Sequence, residues 1–262
     1  MNTRQRVRAP SIAVVIPAYN AVATLERSLQ SVVVSIAVAR ENIPVLISEI
    51  AVVDDGSTDD TATLIKQWAA QHNDITPVFL VQNRGPGFAR NEGVRKTTAA
   101  HLFFLDADDI YYPNHIHTCL EHLMARDDLG YVFTKVRIDM PMHDQWRDSL
   151  DESNPINFCV RRVWHDMIMG FAEEPDFKIH RTEDTLYRKC LRQAVAHEKI
   201  HVETCEQFIS PGNALDRQRA KLNMSIAAWK ASDVDDGFFL TDAMKRVIET
   251  RLAHVRNLVG KA

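Results

Sequence analysis

The segment Ile12-Ala13-Val14-Val15-Ile16-Pro17-Ala18-Tyr19-Asn20 is an unbroken apolar run, rich in β-branched residues, that stops in a polar turn. A half-exposed strand alternates apolar and polar residues, so this one predicts a strand buried on both faces. Working outward, Leu25, Leu29, Val32, Val33 and Ile36 recur at helical spacing. Residues 45–53 read as a second strand. Residues 61–70 read as a helix entered through Ser57, Thr58, Asp59 and Asp60, with Ser57 or Thr58 expected to cap it. Residues 77–81 follow as a strand, 88–97 as a helix and 101–105 as a fourth strand. Strands alternating with helices predict an α/β fold: a Rossmann-like, mostly parallel sheet flanked by helices on both faces.

After Pro113 the pattern changes. A helix at 114–125 leads to a strand at 131–138, then to a Pro- and Asp-bearing stretch at 139–155. A short strand at 157–160, helices at 161–169 and 182–195, and a strand at 200–208 come next. Helices at 214–229 and 238–259 close the chain, joined by the acidic turn Ser232-Asp233-Val234-Asp235-Asp236-Gly237. No repeat or low-complexity linker divides it, so a single domain is expected over residues 1–262.

Composition narrows the function classes. The chain is long enough for a proper core, and its formal net charge of −4 gives no basic field for nucleic acid. A phosphorylated ligand must then be held locally, by a metal or a few arginines. Cys119, Cys159, Cys190 and Cys205 lack any C-x-x-C pairing, which fits reduced thiols. The basic start (Arg4, Arg6, Arg8) runs into an apolar segment too short for a signal sequence, and no run reaches transmembrane length. A cytoplasmic protein is expected, with membrane association only peripheral. The histidines, among them His101, His115, His117 and His122, show no metal-binding spacing and read as surface or packing residues. Trp146, Trp164 and Trp229 read as core.

Ligands of open α/β sheets bind beyond the carboxyl ends of the strands. Here the four strand ends carry Pro17-Ala18-Tyr19-Asn20, Asp54-Asp55-Gly56-Ser57, Asn83-Arg84-Gly85-Pro86-Gly87 and Asp106-Ala107-Asp108-Asp109. In an extended segment Asp106 and Asp108 point the same way. Their mutual repulsion would be relieved by a shared magnesium or manganese ion, which commonly adds substrate phosphates to one or two carboxylates. A solvated turn with capping aspartates is the plainer reading of the same spacing. Gly85 and Gly87 would let backbone approach a ligand, but the third glycine of a dinucleotide fingerprint is missing. Arg90 is placed to meet a phosphate or to pair with an aspartate. Glu183 and Asp184 open a helix, where acidic residues also simply complement the dipole.

Taken together, Val14 to Asn20, Val52-Val53-Asp54-Asp55-Gly56-Ser57-Thr58-Asp59, Asn83-Arg84-Gly85 with Ala89-Arg90-Asn91-Glu92-Gly93, and Phe104-Leu105-Asp106-Ala107-Asp108-Asp109 resemble the family 2 inverting glycosyltransferases of GT-A fold. The resemblance is strongest from Ile12 to Pro113 and extends to Thr182-Glu183-Asp184, which is similar to the family's Glu-Asp motif. It implies a nucleotide-sugar-binding half at about 11–113, a mixed acceptor and catalytic-base half at about 114–212, and C-terminal helices at about 213–262. It implies that Pro17, Ala18, Tyr19, Asn20, Asp55, Asn83, Gly85, Arg90 and Asp106 line the nucleotide-sugar site, with Asp55 on the base and Asp106 near the ribose. Asp106 and Asp108 would hold Mn2+ or Mg2+, with Asp108 the more direct ligand, and Asp184 would be the general base. A UDP-sugar is the donor the resemblance favours, with guanosine and thymidine nucleotides open. The acceptor, whether glycan, lipid-linked or protein, is open too.

The late segment Gln207-Phe208-Ile209-Ser210-Pro211-Gly212-Asn213 departs from the family in lacking a histidine. The Q-x-x-R-W signature of processive synthases is absent, which favours a single-transfer enzyme. Two rival readings share these residues: a non-catalytic nucleotide-sugar-binding protein on the same fold, and a haloacid dehalogenase-type phosphatase. The latter's D-x-D belongs on the first strand, whereas Asp106 follows the fourth.

Overall fold

The computed structural model describes residues 9–180, 182–210, 213–233 and 239–260. The chain begins β1 (Ser11–Ala18), α1 (Leu25–Asn42), β2 (Ile47–Asp54), α2 (Thr61–Gln71), β3 (Ile75–Phe79), α3 (Pro86–Arg95) and β4 (His101–Phe104). It continues β5 (Ile110–Tyr111), α4 (His115–Ala125), β6 (Leu129–Ile138), α5 (Arg147–Ser153), β7 (Phe158–Arg161), α6 (Arg162–Met167), α7 (Pro175–His180) and α8 (Glu183–Ala194). It ends with β8 (Ala196–Gln207), α9 (Ala214–Leu222), α10 (Ile226–Lys230) and α11 (Asp242–Val259).

One sheet of order β3-β2-β1-β4-β7-β6-β8-β5 organises the molecule. The first four neighbours run parallel, as the alternation predicted. In the second half only β7 and β5 run against the others: β7 is antiparallel to both β4 and β6, β8 is parallel to β6, and β5 is antiparallel to β8.

The apolar run that opens the chain is buried on both faces. Ile12, Val14 and Ile16 pack with Leu25, Leu29 and Val32 of α1 and with Ile116 and Leu120 of α4. Ala13 and Val15 point the other way, into a core shared with Val94 of α3, Leu186 and Leu191 of α8 and Val255 of α11. Two helical layers thus bury the strand completely, and no polar residue is tolerated between Ile12 and Ile16.

On that second face the helix comes very close. Gly93 of α3 sits where an added Cβ would lie 2.3 Å from Val15 Cγ1 and 3.2 Å from Val53 Cγ2. Both neighbours are fully buried and β-branched, hence stiff about χ1. We therefore expect Gly93→Ala to cost about 1–3 kcal/mol through overpacking, read as a lower denaturant midpoint at unchanged slope.

Where the element boundaries differ from the sequence reading, a local cause is visible. The third strand lies two residues earlier than expected, because Ile50 pairs with Ile75 and Val81 is fully exposed. Pro77 is tolerated because β3 is an edge strand. The expected helix at 214–229 is broken in two: Ser225 accepts a hydrogen bond from Ala228 N–H, capping α10 as a new start. The start of the last helix at Phe238 and most of the acidic turn before it lie outside the described residues, as do Arg4, Arg6 and Arg8 at the N-terminus. No described helix is long and apolar enough to cross a membrane. The four cysteines are buried and free.

Candidate active site

The polar tips of β1, β2 and β4 and the loop after β3 converge on one cleft of about 940 Å³. Every residue the sequence nominated lines it: Pro17, Ala18, Tyr19, Asn20, Asp55, Asn83, Gly85, Arg90, Asp106, Asp108 and Asp184. The last is contributed by α8, about eighty residues beyond the fourth strand tip. Convergence from so many elements is what a parallel sheet provides and what a set of unrelated surface turns does not.

The strand tips are laced together by their own side chains. Asn20 adopts a left-handed backbone (φ 50°). Its N–H donates to Ser57 Oγ at 2.9 Å, and its Oδ1 accepts from Thr58 N–H at 2.8 Å. Ser57 and Thr58 therefore join β1 to β2 rather than capping α2, correcting the sequence expectation. Asp59 takes the helix start instead, accepting from Thr61 N–H at 3.0 Å. Asp55 is buried and accepts Arg84 N–H (2.7 Å) on one oxygen and Gly85 N–H (2.8 Å) on the other. Burial raises its carboxyl above the ordinary value despite both amides.

The two glycines of this loop make room for protein. A Cβ on Gly85 would meet Lys178 at 2.8 Å, and one on Gly87 would meet Ala172 O at 2.6 Å and Glu183 Cγ at 2.9 Å. The space read from sequence as room for a ligand admits α7 and the start of α8. Lys178 Nζ donates to Asn83 O at 2.7 Å. This pulls α7, a helix the sequence pattern did not reveal, over the Asn83 end of the cleft.

The acidic segment is a turn and not an extended strand end, because Asp109 N–H closes on Asp106 O at 3.1 Å. Asp106 and Asp108 line the same cleft nonetheless. Asp106 accepts from Arg90 Nη2 at 2.6 Å. Asp108 accepts from Ser210 Oγ at 3.1 Å, and its backbone carbonyl from Arg27 at 2.7 Å. Burial, and next the charge of Asp106, raise the Asp108 carboxyl. Asp109 is fully buried and accepts from Phe208 N–H at 2.9 Å, pinning the turn to the end of β8. Burial drives its carboxyl well above the ordinary value.

At the far side, Asp184 is half-buried in the first turn of α8 and accepts from Thr185 N–H at 2.6 Å. Burial, and then repulsion from Glu183, push its carboxyl up to about 7. Arg90, for which phosphate contact and pairing were both open, is buried and paired here, with Asp106 and with Glu183 (2.9 Å). Sequence reasoning missed Glu183 as a buried partner, because an acidic first turn already has a sufficient explanation in the helix dipole. It also missed the wall beyond Asp184, where Trp146, Ser149, Ser153 and Asn154 line the cleft. Trp164 is not among the cleft residues; it packs against the second core cluster.

Among the described residues, no group of three or more His, Cys, Asp or Glu is placed to hold a metal. The pair Asp106 and Asp108 fits an ion that completes its shell from phosphate and water. After burial, the charge of Asp106 raises the Asp108 carboxyl, and Mg2+ is commonly held by one or two carboxylates plus substrate phosphates.

Comparison with known proteins agrees with this arrangement. The profile of glycosyl transferase family 2 matches residues 13–182. Chondroitin synthase of Escherichia coli is 31% identical over 131 residues, covering 50% of this chain and 18% of that protein. The succinoglycan biosynthesis protein ExoO of Rhizobium meliloti is 33% identical over 125 residues, covering 48% of this chain and 33% of that one. The chain spans half or less of the length of the curated relatives it matches. S. aureus TarS 1-349 in complex with UDP-GlcNAc superposes with a TM-score of 0.61 at 17% identity, covering 94% of this chain and 72% of that one. Mannosyltransferase PcManGT from Pyrobaculum calidifontis, in complex with GDP-Man and Mn2+, superposes at 0.63 and 18% identity, covering 98% and 76%. These likenesses establish the GT-A fold.

Proposed function

Because the chain belongs to glycosyl transferase family 2, we propose that its cleft transfers a sugar from a nucleoside diphosphate donor to an acceptor hydroxyl, with inversion. One observation carries this reading: Asp184, with its carboxyl raised to about 7, lines the same cleft as Asp106 and Asp108. A group of that basicity takes a proton near neutral pH, whereas an ordinary surface aspartate is too weak a base.

In the reaction, Asp184 removes the proton of the acceptor hydroxyl. The acceptor oxygen forms a bond to the anomeric carbon on the face opposite the diphosphate, whose C–O bond breaks as the diphosphate leaves. A single displacement inverts that carbon. Asp55, Asn83 and Tyr19 line the nucleoside end, and Asp106 and Asp108 the diphosphate end. A divalent ion held by Asp106 and Asp108 would neutralise charge on the departing diphosphate. The wall of Trp146, Ser149, Ser153 and Asn154, with Lys221 over the Trp146 ring, would receive the acceptor.

Calorimetric titration with UDP, GDP and dTDP, each with and without Mn2+, tests the donor side. UDP is expected to bind at least about tenfold more tightly with Mn2+ than without it, an increment of roughly 1.4 kcal/mol. Binding of none of the three in either condition would remove the donor assignment. A folded protein that binds donor yet never releases nucleoside diphosphate would favour the purely binding alternative.

A further inference from the structure

Arg90 is paired through both terminal nitrogens of its guanidinium, while its Nε is buried without a partner. It lies on α3, 3% exposed, with Nη2 on Asp106 after β4 and Nη1 on Glu183 at the start of α8. Its guanidinium carbon lies 5.2 Å from the centroid of the Phe171 ring. The next residue, Asn91, fixes the loop beneath it. Asn91 Nδ2 donates to Phe171 O at 3.0 Å, and Asn91 Oδ1 accepts from Phe171 N–H at 3.0 Å. Gly87, one turn earlier, lets α3 approach Glu183 to contact distance. Three segments far apart in sequence therefore meet on one helix, and the meeting point adjoins both the donor-side carboxylate and the candidate base.

We propose that Arg90 is a positioning residue that locks the base-bearing start of α8 to the donor-side turn through the Glu183–Arg90–Asp106 bridge. The inference rests on the reading of Asp184 as the base. Asp184 itself sits in a helical first turn, its carboxylate held among the described residues by hydrogen bonds from its neighbour Thr185, so its place relative to the donor is inherited from the helix start that Glu183 anchors. A planar fork with two terminal nitrogens spans two carboxylates; an ammonium is a point charge and holds one. Misplacement of a reacting group by about 1 Å costs on the order of a hundredfold in rate.

The test compares wild type with Arg90→Lys, Arg90→Met and the double variant Arg90→Met/Glu183→Gln. The double variant removes the buried carboxylate charge that the single loss of Arg90 would strand. Donor affinity is measured by calorimetry with UDP and GDP in Mn2+. Turnover is measured as UDP released from UDP-GlcNAc or GDP released from GDP-Man, with water as acceptor. The expected result is a split: donor Kd within about threefold of wild type, kcat down about a hundredfold in the double variant and about tenfold in Arg90→Lys. Full kcat in a folded double variant overturns the bridge, and so does a loss confined to Kd, which would make Arg90 a donor contact. A wild-type protein that releases neither nucleotide overturns the transferase reading itself, a different failure.

Discussion

Asp184→Asn is expected to bind donor within about twofold of wild type and to lose 10²–10⁴-fold in kcat, the usual contribution of a general base. Asparagine keeps the shape of the side chain and its hydrogen bond from Thr185 N–H, so the first turn of α8 stays in place. It cannot accept a proton. The pH profile gives a second, independent readout. With its pKa raised to about 7, Asp184 is a competent base only when ionised. The kcat/KM of wild type should therefore fall tenfold per unit below about pH 7 and level off above it. The residual activity of Asp184→Asn should show no such break. Wild-type activity unchanged down to pH 5, or an Asn variant with full turnover, would move the base elsewhere in the cleft.

The first half of this fold was legible because its signals are redundant. Ile12 to Ile16 can only be a strand buried on both faces, and four polar strand tips in phase define one crevice whatever the exact boundaries. The second half was legible in its elements and opaque in its pairing: nothing in 157–160 says that this strand inserts between the fourth strand and 131–138 and runs against both. Cleft-lining residues were found where they stand at strand ends. They were missed where burial decides their role, as at Glu183, whose sequence context fits a solvated helix start equally well. Ser57 and Thr58 show the converse error. Their capping chemistry was correctly recognised, but a hydroxyl bonds to whichever partner the fold delivers, and the fold delivers Asn20. Arg90 makes the same point about charge. Sequence left pairing and phosphate contact open, and only the approach of α8, permitted by Gly87, decides between them.

Asp108→Asn is expected to make the protein more stable and less able to bind its donor, a combination that separates a binding carboxylate from a structural one. The Asp108 carboxyl is raised by burial and by the charge of Asp106. A carboxyl that is harder to ionise folded than unfolded opposes folding once it is charged, so from the ordinary carboxylate range upward its ionisation costs stability. Asparagine removes that charge while still accepting from Ser210 Oγ. Without metal, Asp108→Asn should therefore melt at or above the wild-type temperature at pH 7. The two proteins should converge as pH falls and wild-type Asp108 takes up its proton. In Mn2+ the order reverses. In wild type Asp106 and Asp108 would hold an ion that offsets their repulsion and neutralises diphosphate charge, and the variant would lack one of the two carboxylates. Its metal-dependent gain in UDP affinity should shrink about 10–100-fold, the scale seen when a metal site loses a supporting group. Stability retained and function lost is the signature of a strained site kept for its chemistry. A variant that melts lower and keeps its full response to Mn2+ would instead make Asp108 a part of the turn's architecture, alongside Asp109.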